Sequence, residues 1–340
     1  MTIACHSSDK TGAKKDAPGD IIRLSNVPGS RPSRNCGQQY RYPVVPERVL
    51  VYANPALENL LALGLAQRIV GIIGYDYARD TAPSPAPARW GKVLSQLSAT
   101  APPAGESLLL LNPDFIYSAS YYWFNSPETA NRDRLAEWGI ATYLSPNVCG
   151  GQQSASSSSA SFDGIFAELR DIARIFAVSR DAETLIQHLQ TQLRDLGLQA
   201  VALPHRRILW WYAGTQTPYV AGCCGAPALL TRQVGSENLF GDLPELWPTV
   251  SWETIAARDP DLIVLGDLPR GGLGDSAKDK IHFLEHHPLT ASLRAVRQKR
   301  YVILPGYDLD PSVRTVAALH RLITGLQQQA LRLATSNKEP

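Results

Sequence analysis

Apolar residues along the chain fall into two kinds of run that alternate. Short, nearly continuous runs have the length and composition of buried strands: VLVY (49–52), RIVGIIGY (68–75), FIYSAS (115–120) and ATYLS (141–145), then RRILWWYA (206–213), LIVLG (262–266) and YVILPG (301–306). Between them, apolar residues recur at helical spacing. Leu57, Leu60 and Leu61 follow Asn54-Pro55, an N-cap and first-turn proline pattern, and the run stops at Gly64. RLAEWGI, APALLTRQVG and a closing run over about 313–331 read the same way. Strands that alternate with helices predict mainly parallel sheets. The phrase NPDFIYSAS (112–120) returns as DPDLIVLGD (259–267), each time after a short helical run. Repetition of half a βαβ unit predicts two similar α/β lobes with a cleft between them.

The segment joining the lobes is helical throughout. Phe162, Ile165, Phe166, Leu169, Ile172 and Phe176 keep helical spacing, and Leu185, Ile186, Leu189, Leu193 and Leu196 resume it after a break near Ser179. A helix over 181–196 spans about 24 Å, long enough to strut one lobe against the other. The expected division is a disordered leader at 1–40, an N-terminal lobe at 41–160, connecting helices at 161–199 and a C-terminal lobe at 200–335.

Charge and composition narrow the function classes. The 340 residues carry 33 basic and 31 acidic side chains, a net charge of +2 with no polybasic block, so neither nucleic acid nor an anionic membrane surface is an expected partner. No apolar run approaches the roughly 20 residues of a membrane helix. Ala4-Cys5 followed by Ser, Asp, Gly and Lys has the look of a bacterial lipoprotein cleavage site and tether, with Thr2 departing from the usual leucine; Cys5 is the candidate lipidation site. Signatures of the common hydrolases, P-loop enzymes, zinc proteases, dinucleotide enzymes and CxxC redox proteins are missing, so a binding protein rather than an enzyme is expected.

Four stretches in order carry a family resemblance: PERVLVYANPALENLLALGL, LLLLNPDFIYSAS, VGSENLFGDLPELWPTVSWETIAARDPDLIVLGD and PLTASLRAVRQKRYVILPGYDLDPSVRTVAAL. Over residues 46–325 the chain resembles the periplasmic substrate-binding proteins of ABC importers, in the group that carries ferric siderophores, haem and cobalamin. The resemblance implies two Rossmann-like lobes joined by a single long, rigid helix, a ligand held between them with little hinge motion, and a monomer in the periplasm or lipid-anchored on the outer face of the cytoplasmic membrane. It further implies that Glu58 and Glu237, one per lobe, dock on the importer's permease, and that Arg314 faces the cleft. The expected cargo is a metal chelate, a ferric siderophore before haem or cobalamin, with no resident cofactor.

Ligands of open α/β sheets bind beyond the carboxyl ends of the strands. Aromatic residues concentrate there, and Tyr75, Trp90, Tyr121, Tyr122, Trp123, Trp211, Trp247 and Tyr307 are the candidates to grip a flat, partly apolar chelate. Arg79, Arg89 and Arg270 are further cations near such ends. HFLEHH (282–287) places His282 and His286 on one helix face but lacks a further ligand at metal-site spacing, so a surface helix is expected. With Cys5 set aside, four cysteines remain: Cys36 and Cys149 in lobe one are expected to pair, which leaves Cys223 beside Cys224. That adjacent pair either closes a vicinal disulfide or, as a reduced pair, supports the rival reading of a metal-handling or redox protein.

Overall fold

The computed structural model describes residues 33–40, 42, 44–74, 88–99, 105–125, 130–151, 160–268 and 270–336. It opens with a hairpin, β1 (Ser33–Asn35) and β2 (Gln38–Tyr40), paired antiparallel. The hairpin belongs to lobe one rather than to a leader: the Asn35 side chain donates to the Leu144 carbonyl at 2.7 Å and accepts from the Leu144 amide at 2.9 Å, and Cys36 is bridged to Cys149. Lobe one is then built on β3 (Val49–Tyr52), β4 (Ile69–Ile73), β5 (Ser98–Ala99), β6 (Phe115–Ser118) and β7 (Ala141–Leu144), ordered β5-β4-β3-β6-β7 and parallel throughout. Helices α1 (Asn54–Ala62), α2 (Ala88–Gln96), α3 (Gly105–Leu110) and α4 (Arg132–Glu137) lie between the strands in sequence. Every residue of β3, β6 and β7 is buried, as expected of a sheet covered on both faces.

Two helices connect the lobes. In α5 (Phe162–Ile175) the Ser161 hydroxyl caps the first turn by accepting from the Gly164 amide at 3.0 Å. Helix α6 (Ser179–Ala200) runs 22 residues, about 33 Å, and packs on both α5 and the last helix. Lobe two holds β8 (Arg207–Ala213), β9 (Tyr219–Val220), β10 (Glu237–Asn238), β11 (Leu262–Asp267) and β12 (Tyr301–Pro305). Its order is β10-β8-β11-β12, all parallel, with β9 antiparallel on β8. Its helices are α7 (Ala226–Gln233), α8 (Trp252–Arg258), α9 (Ala277–His286), α10 (Arg294–Arg297) and α11 (Thr315–Ser336).

One buried apolar cluster runs from Val49, Val51 and Tyr117 of lobe one through Phe166, Leu169 and Ile186 of the connecting helices to Trp210, Val264 and Leu304 of lobe two. The lobes therefore share a continuous core. Separating them would expose apolar area on both sides at about 25 cal/mol per Å², which opposes wide hinge opening.

Candidate functional site

The carboxyl ends of the two sheets meet at a buried polar seam. After β3 the chain turns at Ala53, a non-glycine residue held at φ 72°, and enters α1 with Asn54, Glu58 and Asn59 all buried. After β12 a short turn, Gly306–Leu309, buries Asp308 and leads to Val313 and Arg314. The Val313 amide donates to Asn59 Oδ1 at 2.9 Å, and Arg314 Nη1 lies 3.1 Å from Glu58 Oε1. Arg314 Nε also donates to Asp308 Oδ1 at 2.8 Å, and Arg321 pairs with the other oxygen of Asp308. Two carboxylates thus face two guanidiniums. Burial raises the Asp308 carboxyl above its ordinary range, against the opposing pull of Arg314 and Arg321.

The seam continues into lobe one. Asn59 Nδ2 donates to the Tyr117 hydroxyl at 2.8 Å, and that hydroxyl donates to Glu168 Oε1 at 2.6 Å. Ser145 and Asn147 donate to Glu168 Oε2 at 2.9 and 3.0 Å. Burial nonetheless pushes the Glu168 carboxyl up to about 7, outweighing the three donors.

Beside the seam, lobe two presents an aromatic wall. The rings of Tyr212, at the end of β8, and Trp247 lie 4.9 Å apart at 37°. The Arg270 guanidinium sits 5.5 Å from the Tyr212 ring centre, and its charge is paired with Asp275 at 2.6 Å. Lys280 fixes this loop from beneath, donating to the carbonyls of Gly266 and Asp275 at 2.6 Å each. The Trp247 loop is pinned by main-chain bonds from Val220, Gly222 and Cys223 to Pro248, Leu246 and Leu243. Gly222 is required there, because a Cβ would collide with the Glu245 carbonyl. Asp310 is half-buried nearby and raises the Tyr212 hydroxyl pKa together with burial, the larger cause.

Lobe one contributes the turn after β6. Tyr121 and Trp123 are half-buried and Tyr122 is 51% exposed. Trp123 lies over Gly74 and packs on Tyr52, and Tyr121 packs against Gly151. Tyr75, Tyr77, Arg79 and Cys5 lie outside the described residues, as do the side chains of Arg89 and Trp90, although α2 carries the latter two.

Several expectations need correction. Trp211 is not a cleft residue: it is fully buried between Trp252 and Phe283, with its indole donating to the Ala213 carbonyl. Trp210 is equally buried on the opposite face of the strand, so both tryptophans are core and Tyr212 is the aromatic that emerges. Arg314 is committed to Glu58 and Asp308, and Tyr307 is only 8% exposed, most of its ring belonging to the core. Glu58 does not face outward, since its carboxylate is fully buried in the seam and cannot be offered to a docking partner. Glu237 is exposed on the edge strand β10. Adjacent Cys223 and Cys224 are joined to each other, and the Cys224 carbonyl accepts from the Ala160 amide at 2.8 Å, tying this corner to the start of α5. His282 and His286 stack at 4.1 Å, and among the described residues no group of three or more His, Cys, Asp or Glu side chains could hold a metal.

Two similar α/β lobes, a shared core and an aromatic wall at the meeting strand ends match a known architecture. A family model described as periplasmic binding protein matches residues 49–307. The chain belongs to that family. Among curated relatives of this periplasmic binding protein is a vitamin B12-binding protein of Pectobacterium carotovorum, 25% identical over 232 residues that cover 66% of this chain and 73% of that one. The fold superposes on an ABC-type Fe3+-hydroxamate transport protein of Saccharomonospora viridis with a TM-score of 0.72 at 19% identity, covering 87% and 99% of the two chains. A periplasmic haem-binding protein of Pseudomonas aeruginosa gives 0.62 at 21% identity, covering 83% and 92%.

Sequence reasoning missed Tyr212 and Glu168 and undervalued Arg270. Alternation from the strand end could have singled out Tyr212, two residues beyond inward-facing Trp210. Glu168 carried a weaker signal, a lone acid on the apolar face of a helix.

Proposed function

We propose that this periplasmic binding protein captures a metal chelate between aromatic faces of its two lobes and presents it to the permease of an ABC importer. The observation that carries this reading is the Tyr212–Trp247 pair, standing beside the seam that joins the two sheets' carboxyl ends. Aromatic faces grip a flat, partly apolar ligand through area and quadrupole without requiring any bond to be made or broken. A ferric siderophore remains the reading from the residues, and a corrinoid is the second, supported by the vitamin B12-binding relatives. The shared core favours a ligand site formed with little lobe movement. Glu237 is the docking residue of lobe two, and Cys5 the proposed lipid anchor at the outer face of the cytoplasmic membrane. Joined to each other, Cys223 and Cys224 offer no thiolate to a soft metal, which counts against the metal-handling rival.

Calorimetric titration of the full chain tests the proposal. A ferric trihydroxamate, a ferric tricatecholate, haemin and cyanocobalamin are compared with bare Zn2+ and Cu2+. Micromolar or tighter binding of at least one chelate is expected. Binding of a bare cation alone would sink the chelate reading.

A further inference from the structure

Lys280, in α9, is fully buried, yet among the described residues no carboxylate lies within ion-pair distance of its ammonium. Buried lysines are rare unless paired. Its Nζ instead donates to the carbonyls of Gly266 and Asp275 at 2.6 Å each, 5.8 Å from the centre of the Trp211 ring. Gly266 lies in the end of β11 and Asp275 just before α9, so the two bonds pinch the base of the loop between them. The Leu268 amide closes the same base, donating to the Asp275 carbonyl at 3.0 Å. The crown of the loop hangs on the Asp275 carboxylate. Gly272 donates its amide to Oδ2 at 2.9 Å, and Arg270 donates to Oδ1 at 2.6 Å. Arg270 then stands 5.5 Å over the Tyr212 ring, which packs on Trp247. The crown itself has little apolar anchorage. Gly271, Gly272 and Gly274 surround Leu273, which is 85% exposed, and glycine loses the most chain freedom on ordering.

We propose that Lys280 is a positioning residue of the ligand site: without touching the ligand, it holds residues 270–275 so that Arg270 is set over Tyr212 before a chelate arrives. The effect on affinity rests on the chelate reading above. An ammonium taken out of water costs free energy that an apolar side chain in the same place would not. Only the bonds it makes can offset that cost, and both of them go to the main chain at the base of one loop. Bonds from a charged donor are roughly twice as strong as neutral ones, which suits a clamp on a glycine-rich segment. The clamp reaches the aromatic wall through consecutive contacts, from Lys280 to Asp275, from Asp275 to Arg270, and from Arg270 to Tyr212. A loop ordered in advance spares the ligand the entropy of ordering it on binding.

Two measurements on the full chain test this, the first without any ligand. Amide hydrogen exchange in the unsubstituted protein should show Leu268, Gly272 and Asp275 protected at least ~100-fold over an unstructured peptide, despite their place on a loop. Lys280→Met should speed those three amides by ~10-fold or more and leave Ile263, Val264 and Leu265 of β11 unchanged. Lys280→Gln, which keeps a donor without the charge, is run in parallel and should fall between the two. The second measurement titrates a ferric trihydroxamate, a ferric tricatecholate, haemin and cyanocobalamin, and follows whichever binds the unsubstituted protein most tightly. Lys280→Met should weaken that probe by ~10-fold while the melting temperature moves by only a few degrees. Combined with Arg270→Ala it should weaken binding no further than the worse single change, because Lys280 acts through the Arg270 loop. Fast exchange at the three amides in the unsubstituted protein overturns the proposal before any variant is made. Unchanged exchange or unchanged affinity in the folded variants overturns it too, as does full additivity with Arg270→Ala, and each leaves the chelate reading intact. Failure of all four probes removes the chelate reading, and the exchange rates still decide whether Lys280 holds the loop.

Discussion

Arg314 places Nη1 3.1 Å from Oε1 of Glu58, a residue 256 positions earlier in the chain, and both side chains are buried. The pair joins the lobes at the point where their strand ends meet. Glu58→Gln should therefore act on stability, not on transport contacts, because it leaves a buried guanidinium short of one counter-charge. The expected loss is about 3 kcal/mol in urea unfolding. Replacing both partners by apolar residues should cost less than the sum of the single changes, which a double-mutant cycle would read directly. A Glu58→Gln protein of unchanged stability would show that the pair contributes nothing.

Glu168 makes stability depend on pH. Its carboxyl is pushed from 4.5 to about 7 in the fold, so between those values the folded form holds a proton that the unfolded chain releases. Stability from this group is therefore greatest below pH 4.5, falls as pH rises, and levels off above about 7, by up to about 3 kcal/mol in all. Glu168→Gln should flatten that slope when denaturation is followed at pH 5 and pH 8.

The Cys36–Cys149 bridge closes a sequence separation of 113 residues and ties the opening hairpin to the turn after β7. Replacing both by serine should lower stability by about 5 kcal/mol on the chain-entropy account. Limited proteolysis should then cut first within 33–45. Equal resistance to protease in the two proteins would contradict this role.

Trp247 contributes to the wall without anchoring the core as Trp210 and Trp211 do. Trp247→Ala should weaken the bound chelate by ~30-fold or more, in the range of an aromatic hot spot, while the melting temperature moves by only a few degrees. Trp211→Ala should show the reverse, a loss of about 3–5 kcal/mol in stability from the cavity it leaves.

Glu237 and Glu58 now separate cleanly. Glu237→Lys should leave chelate affinity unchanged in solution and abolish uptake through the cognate importer in a reconstituted vesicle assay. Retained uptake would remove Glu237 from the docking surface.

Strand-length apolar runs, helical spacing and a repeated Pro-Asp phrase determined the two-lobed α/β architecture, because local periodicity reports directly which positions a sheet or helix must bury. The pairing of Cys36 with Cys149 was legible for a related reason: each flanks a strand of the same lobe. Tertiary structure alone decided what each polar or aromatic side chain faces. Glu58 reads as a solvent-facing helical acid until Arg314 arrives from the far end of the chain, and nothing within 250 residues of it in sequence announces that partner. Trp211 reads as a cleft aromatic until Trp252 and Phe283 close over it. Burial and charge compensation are sums over neighbours brought together by the fold, and a linear pattern does not contain those sums.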